Sequence, residues 1–399
     1  MTQYFPPDLG GASTRAINAV QGLIRNGHHV DVITGVEHYP KGCETSFTSK
    51  LLFKRYQSSQ LGVERFWMPP FSHETNTSRL LNYLWFTFVG ILGLLKSKKP
   101  DIIFTSSPNF FCFITGLFAR LIHRVPVVVN IDDLWPEAFV DLGITRKSVF
   151  IGAIKKLRNS LLRLANHIVC ISHTIEQHIV STGIPPSRVS TIEVGCALRR
   201  ESFPCIDEMN HSHMRIVYSG VLGPAYNFNS IIQVAELCKR EAVPVEFIIK
   251  GQGEKLPEIR KKVKVSELNN ITVLDQWMTR EDHLKFLEEA SAFILPMQDN
   301  FISTTALPTK LFEYMASGKP VIIIGKGEAS NLVSEAQCGI TVNPDEISKI
   351  VEFIRTLIRH PERIGEMGFK GFSYIKENLS IAQIGAKFTT LFEGLVTAK

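Results

Sequence analysis

The 399 residues contain no Cys-x-x-Cys pair, although seven cysteines are scattered between Cys43 and Cys338. An odd number at such spacings supplies neither a disulfide framework nor a thiolate metal knuckle. It fits a chain kept reduced in a cytosol. The twelve histidines form no zinc pattern, and His211-Ser-His213 stands alone. No apolar run reaches the ~20 residues that a bilayer-spanning helix needs. The first residues show no signal-peptide pattern. Low-complexity tracts and short repeats are missing. So is a Gly-x-Gly-x-x-Gly after a first strand, which excludes a nicotinamide dinucleotide fingerprint. Basic residues are too dispersed for a nucleic-acid surface.

What is present is a globular balance of 44% apolar and 21% charged residues, enough for two domains that each bury a core. Charge is uneven. Residues 1–198 hold 20 Lys+Arg against 13 Asp+Glu, a net +7, and the remainder nets −1. A basic first half suits an anionic surface or substrate.

Strand-like runs recur at residues 30–33, 64–67, 102–104, 125–129, 167–170 and 189–192, with helical patterns between most of them. Residues 199–213 have no periodicity and read as a linker. Alternation restarts at Met214 and continues through runs at 245–249, 271–274, 292–295 and 321–324. Such alternation predicts doubly wound parallel sheets, which bind ligands at the carboxyl ends of their strands.

Residues 303–324 carry the densest local signal. Thr304 or Thr305 can cap a helix, Pro308 suits its first turn, and Gly318 and Pro320 stop it before the apolar strand Val321–Ile324. Lys310 and Glu313, three apart, share a face. A helix N-terminus there favours a phosphate, and the carboxylate one turn further in can accept bonds from a sugar diol. An ordinary surface ion pair is the competing reading. Gly10-Gly11 before a helix starting at Ser13 or Thr14 is a phosphate-cradle geometry. Gly220-x-x-Gly223 and Gly251-Gln-Gly253 follow strands in the second half. Asp132 and Asp133 end a buried strand, where they serve either a site or the cap of the next helix.

In the order Pro308-x-Lys-x-x-Glu-Tyr-Met-Ala-x-Gly-Lys-Pro-Val321, with Asp133-Leu-Trp-Pro-Glu137 and Tyr4-Phe-Pro-Pro before Gly10-Gly11, the chain resembles family 4 glycosyltransferases. The likeness is greatest to the branch that builds bacterial surface polysaccharide and O-antigen. The resemblance implies a GT-B architecture, two Rossmann-like domains facing a cleft. It divides the chain into an acceptor-side domain 1–198, the linker 199–213, a donor domain 214–378 and a last segment 379–399 whose helix packs back on the first domain. It implies transfer of a sugar from a nucleotide-sugar, UDP-linked, to a lipid- or glycan-linked acceptor, with retention and without metal or cofactor. Glu313 then holds the donor ribose, and Lys310 meets the diphosphate as a catalytic group. Gly10, Gly11, Gly220, Thr305 and Leu307 complete the donor-binding set. Asp132, Asp133, Trp135 and Glu137 lie on the acceptor side, with Asp133 the second catalytic candidate. Three positions depart from the family. Thr305 replaces a second Glu, Asp132 stands where many members carry His or Arg, and Pro224 follows the Gly-x-x-Gly where many place a base.

Two rivals share the architecture. A nucleotide-sugar 2-epimerase would use Asp132 and Asp133 as acid and base. A non-catalytic nucleotide-sugar-binding protein would bind without turnover. Leu80–Leu95 is a run of sixteen uncharged residues flanked by Arg79 and Lys96, Lys98 and Lys99. It reads as a core helix or a helix lying in a membrane surface. Arg146–Arg163 reads as a basic amphipathic helix, a solvated face or an anionic-lipid surface. Finally, an α/β domain of this type begins with a buried strand before its glycine loop, and only Met1–Phe5 is at hand. The pattern predicts a start about 5 to 8 residues upstream, a typical strand length. The alternative is a stunted strand from Met1 to Phe5.

Overall fold

The computed structural model describes residues 1–8, 10–36, 53–69, 76–106, 109, 111–141, 149–203 and 214–398. The chain divides into two compact units, Met1–Ala197 with Ile381–Lys399, and Leu198–Ser380.

Unit 1 opens with helix α1 (Gly11–Arg25) and strand β1 (Val30–Gly35), then β2 (Phe53–Gln57), β3 (Leu61–Phe66) and α2 (Asn76–Lys96). It continues β4 (Ile103–Ser106), α3 (Cys112–His123), β5 (Val127–Ile131), the short α4 (Glu137–Asp141), α5 (Val149–Leu164), β6 (His167–Cys170), α6 (His173–Ser181) and β7 (Val189–Thr191). β4-β5-β6-β7 form one parallel sheet, and β1 pairs parallel with β3. β5 and β6 are buried along their whole length, as apolar strands covered on both faces must be. β2 pairs antiparallel with β3. It escapes the sequence reading because its Lys54 and Arg55 break any apolar alternation.

The slot between β1 and β4 is occupied by the first three residues. The Met1 ammonium donates to Phe104 O at 2.6 Å and Ser106 N donates to Met1 O at 3.0 Å. On the other side Thr2 N donates to Ile33 O at 3.1 Å and Gly35 N to Gln3 O at 3.4 Å. Residues 1–3 thus pair with the carboxyl ends of both neighbours and deliver the chain to the glycine loop. α1 begins at Gly11, two residues before the expected Ser13, because Gly10 (φ 115°) turns the chain and its carbonyl accepts from Thr14 N.

Unit 2 runs β8 (Met214–Ser219), α7 (Phe228–Arg240), β9 (Val245–Lys250), α8 (Leu256–Val265), β10 (Ile271–Leu274), α9 (Arg280–Glu288), β11 (Ala292–Pro296), α10 (Phe301–Thr305), α11 (Thr309–Ala316), β12 (Val321–Ile324), α12 (Glu328–Glu335), β13 (Gly339–Val342), α13 (Ile347–Arg359) and α14 (Glu362–Tyr374). Its six strands are all parallel in the order β10-β9-β8-β11-β12-β13. The chain winds outward from β8, then returns to β11 and winds the other way. The β8–β11 junction is therefore the switch point, where a doubly wound sheet opens a crevice at its carboxyl ends.

The last helix, α15 (Ile381–Thr397), belongs to unit 1 and lies on α1. Contact is close because both helices carry glycine at the crossing. A Cβ on Gly385 would sit 2.5 Å from Gly22 O. Phe388 and Phe392 pack against Phe104, and Lys387 bonds Glu193 at 2.8 Å.

Candidate functional site

α11 is stitched to the end of β8. Tyr314 lies flat on Phe293, ring centres 4.1 Å apart, and its hydroxyl accepts from Ser219 N at 2.8 Å and donates to Ser219 O at 2.9 Å. This satisfies backbone groups that a strand end would otherwise leave unpaired inside the unit. It also fixes the helix over the switch point. The helix begins at Thr309 with Pro308 as its N-cap, and no side chain caps it. The expected cap by Thr304 or Thr305 is thus corrected. Both threonines belong to the separate one-turn α10, which Asn300 caps through Ser303 N at 2.8 Å. Thr305 is buried, with its hydroxyl donated to Ile302 O at 3.0 Å, and Leu307 is buried beside it.

Lys310 is half-buried and its ammonium donates to the Tyr218 hydroxyl at 2.6 Å. The same nitrogen lies 4.3 Å from the Tyr218 ring centre and 4.1 Å from that of Tyr226. The Tyr218 hydroxyl itself donates a hydrogen bond to Val221 O at 2.7 Å. Burial pulls the lysine down to about 7, and the Glu313 carboxylate opposes that. The ammonium rests on bare backbone, since a Cβ at Gly220 (φ +148°) would stand 2.6 Å from it. Gly251 (φ +153°) repeats the arrangement one strand over, its missing Cβ only 1.8 Å from Gly220 O. Both positions need glycine for conformation and for space.

Glu313 is half-buried on the same face. Burial raises its carboxyl, while Arg280 and Lys310 act to lower it. Among the described residues no hydrogen bond to its carboxylate is found, so its acceptor oxygens are open to a diol. His283, also on α9, bonds the Ser219 hydroxyl at 2.9 Å. Burial and the nearby Lys250 and Arg280 charges hold it down at about 4, so it is neutral near pH 7. Tyr218, Tyr226, Arg280 and His283 meet the helix from other elements, so no local pattern marks them, and Tyr314 stands within the Pro308–Val321 block while its partner Ser219 lies far off in sequence.

Unit 1 gathers a second set at the ends of β4, β5 and β7. Arg15, on the first turns of α1, is 1% exposed. Its guanidinium donates to Asn130 Oδ1 at 2.9 Å, to Ile192 O at 2.6 Å and to Glu193 O, and lies 3.6 Å from the Asp132 carboxylate. Asp132 also accepts from Asn130 Nδ2 at 2.8 Å. It is the counter-ion of a buried arginine, although burial itself raises its pKa. Asp133, an exposed residue, has its carboxyl raised to about 6, first by desolvation and then by Asp132. Trp135 meets Phe111 at 6.3 Å between ring centres.

Glu137 turns inward. It forms a bidentate pair with Arg158 (2.6 and 3.0 Å) and a contact with Lys155 (3.1 Å). Against the opposing effect of burial, His178 and Arg158 hold its carboxyl well below the usual range. This corrects two expectations. Glu137 is not an open acceptor-side carboxylate. Arg158, 2% exposed, is not on a lipid-facing side of α5. Arg146 and Lys147 lie outside the described residues. Glu137→Ala should cost roughly 3–5 kcal/mol, because it leaves Arg158 buried and unpaired. The check is urea unfolding of the two proteins side by side. A loss under 1 kcal/mol would mean that Arg158 finds other partners. Since the folded pKa is depressed, the pair's contribution is complete above the unfolded value of ~4.3 and fades as pH falls below it.

Residues 10–195 match the family model described as a glycosyl transferase 4-like domain, and residues 207–371 that of glycosyl transferases group 1. An Escherichia coli K12 protein described as a colanic acid biosynthesis glycosyl transferase is 23% identical over 381 residues, covering 90% of this chain and 91% of its own. An amylovoran biosynthesis glycosyltransferase of Erwinia amylovora is 23% identical over 247 residues, 59% of each chain. Among solved structures, sucrose-phosphate synthase from Thermosynechococcus elongatus superposes with a TM-score of 0.77 at 14% identity, over 98% of this chain and 96% of its own. The Anabaena protein HepE in complex with UDP-glucose does so with 0.67 at 15% identity, over 98% of each chain.

Proposed function

Because this chain belongs to the family 4 glycosyltransferases and has the GT-B fold, we propose that it moves a sugar from a UDP-linked donor to a lipid- or glycan-linked acceptor in surface-polysaccharide or O-antigen synthesis, at the cytoplasmic face of a membrane. The polysaccharide context follows the colanic acid and amylovoran relatives, and the UDP donor follows the ligand of HepE. The observation that carries the reading is the pairing on α11: an open Glu313 carboxylate beside a Lys310 ammonium laid over the Gly220 backbone at the switch point.

In this reading the ribose hydroxyls donate to Glu313, and the diphosphate draws Lys310 away from its contacts with Tyr218 and Tyr226. A departing diphosphate gains negative charge as the glycosidic bond breaks, so the ammonium binds the transition state more strongly than the ground state. The sugar keeps its configuration, as the resemblance implies. On the acceptor side, Asp133 near pKa 6 is suited to exchange a proton with a sugar hydroxyl near neutral pH.

Glu313→Ala should weaken UDP binding at least tenfold, since a hydrogen bond to a charged group is worth ~1.5–3 kcal/mol. Titration calorimetry with UDP reads this directly. Unchanged affinity in a variant of unchanged melting temperature would remove Glu313 from the ribose site. Incubation with donor alone separates transfer from epimerisation, because only an epimerase converts the donor without an acceptor.

A further inference from the structure

α2 buries one side and exposes the other. Tyr83, Phe86, Val89 and Leu94 are buried, whereas Leu81, Leu84, Phe88, Leu92 and Leu95 are exposed. Those five follow a three- and four-residue spacing, which makes one apolar stripe along the helix. On the neighbouring α3, Phe118, Leu121 and Ile122 are exposed as well, Leu121 by 76%.

The two stripes turn to the same side. Thr115 Oγ1 donates to Thr87 O at 3.3 Å, and one turn pair later the His123 ring lies 3.3 Å from Leu94 O. The helices therefore run side by side in the same direction. At about 100° per residue, Leu84, Phe88 and Leu95 sit about 60° to 100° after the α3-facing line through Thr87. Phe118 and Leu121 sit about 60° to 120° before the matching line through Thr115. For parallel neighbours, opposite offsets point the same way.

Aromatic and charge patterns set the edges of this face. Trp85 is half-buried beside the stripe, donates its indole N–H to Trp67 O at 2.9 Å, and meets the exposed Trp67 at 5.6 Å and Phe88 at 5.9 Å between ring centres. Exposed Lys96, Lys98, Lys99 and Arg124 gather where both helices end. From Asn76 to Arg124 the sequence holds a single acidic residue, Asp101.

We propose that the joint face of α2 and α3 rests on an anionic lipid bilayer. Its leucines, phenylalanines and tryptophan edge enter the headgroup–acyl boundary, and its lysines meet lipid phosphates. No described helix is long and apolar enough to cross a membrane, so the helices lie in the surface. A second copy packed by the same face is the poorer occupant, because it sets lysine against lysine, whereas lipid phosphate supplies the counter-charge. The inference deepens the proposed function by naming the surface at which a lipid-linked acceptor would be met. It is tested without any transfer reaction.

The full chain is floated with vesicles of phosphatidylcholine alone and of phosphatidylcholine with an equal part of phosphatidylglycerol, at rising salt. Partition should favour the anionic vesicles and fall as salt rises, because screening shortens from ~30 Å at 0.01 M to ~10 Å at 0.1 M. Phe88→Glu should weaken partition at least tenfold. Charge reversal at Lys96, Lys98 and Lys99 together should weaken it on the order of 100-fold at low salt. Leu95→Ser, a milder change on the same stripe, gives a smaller loss and covers the case in which Phe88→Glu does not fold. UDP binding measured on the same preparations stands apart from these results. Retained UDP binding without vesicle binding at low salt overturns this inference alone, and the reverse leaves it standing. A stable dimer that Phe88→Glu dissociates would also overturn it.

Discussion

Lys310→Ala is expected to cut turnover on the order of 100-fold, since losing one preorganised donor to developing negative charge costs ~3 kcal/mol of barrier. UDP affinity should fall much less, because charge on the leaving diphosphate grows only as the bond breaks. The pH dependence adds a signature. In the free protein burial brings the Lys310 ammonium down to about 7. kcat/KM, which reports the free enzyme, should therefore fall as pH rises through about 7 and the ammonium loses its proton. In the donor complex the diphosphate charge favours the protonated form, so the limb in kcat should lie higher. Lys310→Arg should remove the limb, since a guanidinium stays charged. Single-turnover rates with UDP-glucose as a first donor, across a pH series, decide the matter. Equal losses in UDP affinity and none in turnover would reduce Lys310 to a ground-state contact.

Gly385→Val should destabilise unit 1 although it lies far from any ligand. The crossing of α15 over α1 leaves no room, with backbone atoms of Gly22 2.5–2.6 Å from where the new Cβ would stand. Helix backbones cannot rotate aside as a side chain can, so the helices must part. Overpacking typically costs ~1–3 kcal/mol, and a backbone obstacle belongs at the upper end. The loss should fall on unit 1 alone. Thermal melts followed with and without UDP separate the outcomes: an earlier transition assigned to unit 1 and a UDP-stabilised one that does not move. An unshifted melt would mean that the helices slide past each other at no cost.

What could be read from sequence was what is local. The block from Pro308 to Val321 revealed the helix, its glycine stop and the start of its buried strand, because the apolar periodicity and the stop lie within fourteen residues. The helix start was misplaced, since Thr304 and Thr305 resemble a cap yet close a separate turn held by Asn300. Partners across the fold were invisible. Arg15 binds carbonyls of residues 192 and 193, and no periodicity reaches that far. The basic pattern of α5 could not reveal that Arg158 turns inward to Glu137, because a helical wheel shows faces and not what lies against them. The short β13 was missed for a similar reason. Gly339 opens it, and only its neighbours in the sheet make it a strand.

The route of the chain through α15 has a practical consequence. Ile381 N donates to Cys196 O at 3.2 Å, so the point where the chain leaves unit 1 and the point where it returns are adjacent. In engineering terms residues 198–380 are a cassette inserted into a host domain. Truncation from the carboxyl end would strip α15 from α1 and damage the host first. Excision of the cassette, with the cut ends rejoined by a turn of roughly two to four residues, would leave the host's wiring whole. On the proposed function, which seats the nucleotide-sugar on this cassette, the same two points would accept the matching unit of another member of the family, and nucleotide-sugar preference should travel with it while α1, α2, α3 and α15 keep their sequence.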